Sequence, residues 1–178
     1  MLGAAWVEYV HDELIRNFWP DPEDIGSKGV KDRGLLESAV GRPFQSVFGQ
    51  DAYPTLAEKA AALFHSLISN HPFHDGNKRT AILSLHHFLL ANSHFLLLSN
   101  DEAYESAKRT ASYRKRGSSH DQILQEIREL LASHVISFDA VRKQGGPETA
   151  IFTVLYDPAV EFRRKIRNSS MNQLVPLV

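Results

Sequence analysis

Apolar residues recur at three- and four-residue intervals over most of the chain, a pattern that predicts a mainly helical protein. Trp6, Val10 and Leu14 stand four apart and form one stripe, which ends near the breakers Pro20 and Pro22. Residues 21–32 read as a loop holding two glycines. Asp32 is placed to cap a short helix with Leu35, Leu36, Ala39 and Val40 inward and Gly41 at its end. Residues 42–54 lose the helical spacing, and Gly49 marks the tip of a turn or short hairpin. Thr55 with Glu58 is a capping-box pair; the helix it opens buries Ala60, Leu63, Phe64, Leu67 and Ile68.

A loop follows, and then Lys78–Ala91 reads as a second long helix, with Ala81, Leu85, Phe88 and Leu89 inward and Asn92 near its end. Ser99 with Glu102 repeats the capping box before a helix to about Ser112. A basic stretch around Gly117 separates it from a helix over about 120–135, with Ile123, Ile127, Leu130 and Leu131 inward. Gly145, Gly146 and Pro147 break the chain. Beyond them lie one strand-like run, Ile151–Tyr156, and a basic helical candidate, Val160–Arg167. The text holds no internal repeat and no low-complexity segment.

Composition narrows the chemistry. The 178 residues are 43% hydrophobic and 23% charged, ordinary values for one folded domain with a core. There is no cysteine, so disulfides, thiolate nucleophiles and Cys-ligated metal are excluded. No run of about 18 apolar residues is present to cross a membrane. The N-terminus lacks a basic segment and turns acidic early, so no secretory signal is expected and the cytoplasm is the simplest compartment. The net charge of −1 hides a split, because residues 141–178 carry six basic side chains against three acidic ones. No aromatics suited to base stacking interleave with that basic tail, so a solvated surface is expected there rather than a nucleic-acid footprint.

One segment concentrates reactive residue types: His71-Pro72-Phe73-His74-Asp75-Gly76-Asn77-Lys78-Arg79. It places Gly76, Asn77 and Lys78 at the N-terminus of a helix, where backbone N–H groups and the helix dipole favour an anion. Gly76 permits close backbone approach. Asn77 is placed to cap the helix or to offer an amide donor. Lys78 and Arg79 add cations suited to polyphosphate. Asp75 supplies a hard oxygen ligand for Mg2+ arriving with phosphates. His71 is the neighbouring group whose ordinary pKa lies near neutrality, and so the candidate general base. These residues together suggest a Mg-nucleotide site with a base beside it. Phe73 reads as a core plug that anchors the loop. His65, His86, His87 and His94 fall on or beside helices without an evident partner and read as structural.

The run HPFHDGNKR resembles the signature loop of the Fic/Doc (Fido) family, HPFx(D/E)GN followed by basic residues. The preceding text, VKDRGLLESAVGRPFQSVFGQDAYPTLAEKAAALFHSLISNHPF, resembles the death-on-curing (Doc) branch. The likeness covers roughly residues 6–110 and is strong from Lys31 to Asn92. It implies an all-α helical bundle with a short β-hairpin flap, forming a catalytic domain over residues 1–136. Residues 137–178 are then expected to be a C-terminal extension with the strand-like segment. By this resemblance His71 takes the proton of a target hydroxyl and Asp75 holds Mg2+. Gly76 and Asn77 line the anion hole, and Arg79, with Lys78 beside it, binds the phosphates of ATP. Phe48, Gly49, Gln50, Asp51, Ala52 and Tyr53 form the flap that positions a target peptide by main-chain pairing.

Two departures bear on the reaction. AMP-transferring members carry a glycine after the asparagine and a second arginine three positions beyond the first; here those slots hold Lys78 and Ile82. A lysine stem fills space that the glycine leaves for phosphate, and isoleucine cannot clamp a nucleotide. Both match the Doc branch, whose precedent is phosphoryl transfer from ATP to a hydroxyl of a translation elongation factor. Gly76 departs in turn from the alanine of the archetypal member of that branch. The expected function is therefore that of a Doc-like toxin phosphorylating a Ser, Thr or Tyr hydroxyl of a protein. AMP or other nucleotidyl transfer to such a hydroxyl is the alternative.

The inhibitory pattern (S/T)xxxE(G/N) does not occur in the sequence. The expected regulator is thus a separate antitoxin, with the Val160–Arg167 segment as a second candidate cover in cis. Two further alternatives differ in class. His74-Asp75 is an HD dipeptide, which in an all-α metal phosphohydrolase would recruit His65, His86 or His87. A non-enzymatic binding module would keep the fold and only sequester a partner.

Overall fold

A helix that is apolar all round belongs at the centre of a bundle, and LAEKAAALFHSLISN has that character. The computed structural model describes residues 3–18 and 29–143. Its elements are α1 (Ala4–Phe18), α2 (Arg33–Gly41), a 3-10 turn (Arg42–Phe44), β1 (Ser46–Val47), β2 (Gln50–Asp51), α3 (Leu56–Asn70) and α4 (Asn77–Ala91). They continue with β3 (His94–Leu96), α5 (Asn100–Ser112), α6 (His120–His134), β4 (Val135–Ser137) and α7 (Phe138–Lys143). The fold is all-α, with small two-stranded sheets only. The described residues fall into one unit ending at Ile136 and a second beginning at Ser137. In the second, the Ser137 hydroxyl accepts from the Ala140 N–H at 3.1 Å and opens α7.

In the first unit α3 packs against α2, α4, α5, α6 and the 3-10 turn, while α1 lies on α4. Every residue from Ala60 to Ile68 is buried. The periodicity predicts a single inward stripe on this helix; the structure covers it on all sides because Ala60, Ala61 and Ala62 admit neighbours closely. Caps set the starts of the helices. Asp32, Thr55, Ser99 and Ser119 cap α2, α3, α5 and α6 through their side chains, the last three within capping boxes.

Several sequence expectations need correction. The core stripe of α1 is Val7, Val10, His11, Leu14 and Ile15. Trp6 is half-buried instead, its ring 4.0 Å from that of His87. Leu35 is exposed, and α2 buries Leu36, Ala39 and Val40. On α6 Ile123, Ile127 and Leu131 are buried as the spacing predicts, Leu124 joins them, and Leu130 is half-buried. The pattern marks no strand near β3 or β4, whose three residues each are too few for a period. The loop residues 19–28, the break at 145–147, the strand-like run 151–156 and the helical candidate 160–167 lie outside the described residues.

His65 shows what central burial does to a titratable group. Its Nε2 lies 3.2 Å from Ser69 Oγ. Burial, then the positive fields of His120, Arg42 and Arg114, push its pKa from 6.5 down to about 4. The unfolded chain therefore binds a proton here that the folded chain refuses. The contribution to stability is intact above the unfolded value of 6.5 and is lost as pH falls to about 4. The full loss is about 3 kcal/mol. Urea titrations at neutral pH and near pH 4 should show His65→Phe losing less stability on acidification than the parent; equal losses would contradict this origin.

Candidate active site

The segment that joins α3 to α4 is built on strained backbone. His71 caps the C-terminus of α3 in the left-handed region (φ 52, ψ 54). That position usually falls to glycine or asparagine, since other residues there cost about 1–2 kcal/mol. Pro72 follows and cannot extend the helix. The chain is then held by its neighbour strip. The Pro72 carbonyl accepts from the N–H groups of Lys31 (2.7 Å) and Asp32 (3.1 Å), and the His74 N–H donates to Gly29 (3.2 Å). Phe73, bridged to Val30, is buried at the heart of this loop.

Asn77 organises the loop from inside. Its Oδ1 accepts from the Phe73 N–H at 3.0 Å, and its Nδ2 donates to the Phe73 carbonyl at 2.8 Å. The same Nδ2 stands 3.2 Å from Nδ1 and 3.4 Å from Nε2 of His71. Asn77 does not cap α4. The cap is Gly76, at φ +73, and no side chain serves there. The first helical bond runs from the Thr80 N–H to the Gly76 carbonyl at 2.9 Å. The backbone N–H groups of Asn77 and Lys78 thus have no acceptor within the helix.

The Asp75 carboxylate is exposed and accepts the Gly76 N–H through Oδ1 at 2.6 Å. Among the described residues no group of three His, Asp or Glu side chains gathers to hold a metal. One accessible carboxylate fits a Mg2+ that brings phosphate oxygens and water as its other ligands; it does not fit an all-protein cage. The HD-phosphohydrolase alternative needs further ligands beside His74 and Asp75, yet His65 packs against Tyr113 and His120, and His87 against Trp6.

Lys78 is half-buried, and Arg79, Lys31 and His71 are exposed. Partial burial and the fields of Lys31 and Lys78 hold the His71 imidazole below the usual histidine range, with Asp75 opposing them. The structure brings His71, Phe73, Asp75, Gly76 and Asn77 into one hydrogen-bonded loop. Of the expected flap residues, Phe48–Asp51 belong to a separate hairpin, with Ser46 opposite Asp51 and Val47 opposite Gln50. Its turn residues Phe48 and Gly49 have φ 51 and φ 78, and Phe48 is fully exposed. The hairpin is held at its foot, where Arg42 Nε donates to the Tyr53 hydroxyl (3.0 Å) and Lys59 pairs with Asp51 (2.6 Å).

Two contributors escape sequence reasoning. Lys31 reaches the site because its strip pairs with the loop. His11 on α1 lies under the loop, stacked on Phe73. Its signal was a histidine within an apolar stripe, four residues from both Val7 and Ile15.

Residues 2–89 match the model of the Fic/DOC family, and the chain belongs to that family, on its Doc branch. It is similar to the Toxin Doc of Mycolicibacterium smegmatis, 54% identical over 67 residues, which cover 38% of this chain and 52% of that protein. The matched part thus spans about half the length of that relative.

Proposed function

We propose that this protein is the toxin of a toxin–antitoxin pair and transfers the γ-phosphoryl group of Mg-ATP to a Ser, Thr or Tyr hydroxyl of a target protein. A translation factor is the target class that the branch precedent implies. The observation that carries this reading is the N-terminus of α4: alone among α2–α6 it has no side-chain cap, and His71 stands beside it. An uncapped helix start flanked by Lys78 and Arg79 is a phosphate site, and a neutral imidazole at its edge is a base.

In this mechanism the target hydroxyl gives its proton to a ring nitrogen of His71 as its oxygen attacks the γ-phosphorus, and ADP leaves. Asn77 holds the ring in place. Backbone N–H groups of α4, Lys78 and Arg79 meet the charge that spreads over the phosphoryl oxygens. Asp75 would hold Mg2+, which when bound neutralises phosphate charge. The flap would align the target segment by main-chain pairing. We place the catalytic domain at residues 1–136, the extension at 137–178 and the control in a separate antitoxin.

Phosphoryl transfer is favoured over nucleotidyl transfer by position 82. Ile82 is half-buried against the core, and lines a small apolar gap with Phe64, Leu85 and Leu96. No second cation stands there to clamp a nucleotide in the AMP-transferring sense. The test is transfer from ATP labelled at either the α- or the γ-phosphate, in a bacterial lysate with Mg2+. Label from γ alone is expected; label from α would make the protein a nucleotidyl transferase. Arg79→Ala should weaken Mg-ATP binding and turnover together, by about tenfold or more for a lost charge-assisted contact. Unchanged nucleotide affinity would remove Arg79 from the phosphate site.

A further inference from the structure

His11 is polar where packing alone would select an apolar side chain. It is 1% exposed, and its ring stacks on Phe73 with centroids 4.1 Å apart and planes within 4°. Its Nε2 lies 3.1 Å from the Asp75 carbonyl oxygen. A carbonyl only accepts, so Nε2 carries the proton. Nδ1 is buried and makes no hydrogen bond, although the Asp12 carboxylate lies 3.6 Å from it. A buried polar atom left so costs about 1–3 kcal/mol. Phenylalanine would stack in the same space without that cost, so the value of the histidine lies in the bond it makes.

That bond acts on one peptide unit. The Asp75 carbonyl and the Gly76 N–H share a planar trans peptide and point in opposite directions. With the oxygen drawn inward to His11, the N–H faces outward and meets Asp75 Oδ1. Gly76, at φ +73, has no Cβ to resist rotation of this peptide. The His11 ring is also its close neighbour, since a Cβ on Gly76 would lie 3.5 Å from Cδ2 and Nε2. We propose that His11 is a positioning residue for the transfer reaction, whose Nε2–H locks the Asp75–Gly76 peptide with its carbonyl inward and its N–H toward the phosphate site. Its effect on turnover rests on the transferase reading; the lock itself does not.

Two variants separate the hydrogen bond from the ring. His11→Phe keeps the stacked ring and removes the donor. His11→Gln removes the ring and keeps an amide donor that reaches the same carbonyl. The Phe variant should lose about 10²-fold in kcat, the scale of a misplaced catalytic group, with KM for Mg-ATP little changed, and Gln should recover most of the loss. In ligand-free, 15N-labelled full chain, the Gly76 amide should give one sharp resonance in the parent and the Gln variant and a split or broadened one in the Phe variant. Long-range proton–nitrogen spectra of the parent should show His11 protonated at Nε2, a readout that needs no variant to fold. Protonation at Nδ1 alone would overturn the inference. So would a Phe variant with parental kcat and a single Gly76 resonance, or a Gln variant no better than Phe. If the parent transfers no label while Gly76 behaves as stated, the lock is upheld and the transferase reading fails.

Discussion

Replacing His71 with alanine should lower turnover by about 10²–10⁴-fold, the usual worth of a general base, and leave Mg-ATP affinity nearly unchanged. In the proposed mechanism the imidazole takes a proton from the target, whereas the nucleotide is held by the α4 N-terminus, Lys78 and Arg79. The two functions should therefore separate in a comparison of single-turnover transfer with equilibrium nucleotide binding. Transfer at the parental rate in this variant would end the mechanism. The pH profile supplies an internal check. The base works only unprotonated, and its pKa is held below 6.5 by partial burial and then by Lys31 and Lys78. The kcat/KM profile should be flat through neutrality and fall only on the acid side of that value. Lys31→Gln removes one opposing cation, so its acid limb should move to higher pH. An unshifted limb would mean that Lys31 does not act on the titrating group.

Asn77→Ala should damage fold and chemistry together. The side chain satisfies both backbone groups of buried Phe73 and approaches His71 with the same amide. Truncation strands the Phe73 N–H and carbonyl, at a cost of about 2–4 kcal/mol. For a chain of this size that is a fall of about 5–15 °C in Tm. Asn77→Asp separates the two effects. It keeps the acceptor for the Phe73 N–H but sets a carboxylate beside the His71 ring, which favours the imidazolium. Its acid limb should rise above that of the parent. Full thermal stability in the alanine variant would show that the loop does not depend on these bonds.

The legible part of the site was its local part. The run from His71 to Arg79 could be placed between two helices because the apolar periods on either side are long and regular. Thr55 with Glu58 and Ser99 with Glu102 announced their helix starts because both partners of a capping box lie within one turn. For Asn77 the same logic leaves a cap and an amide donor both open, and only the structure decides against the cap. Its side chain turns back to Phe73 instead, because the loop has buried backbone groups of its own to satisfy. The spacing places Leu35 inward, yet it is exposed, because a nine-residue helix offers too few turns for the pattern to fix the orientation of its face.

Helix positions, caps, the hairpin tip at Gly49 and the residue types of the loop depend on neighbours within a few positions, and a linear text carries such relations openly. The lock on the Asp75 carbonyl joins residues 64 apart. The pairing of Val30 with Phe73, the field of Lys31 at His71 and the all-round burial of α3 are likewise long-range. They exist only once α1, α2 and α3 have closed around one core, where burial makes each polar group's partner matter and strand-like pairing can form between distant segments. Local chemistry thus reveals which groups are available to act. Closure of the bundle decides which of them face one another.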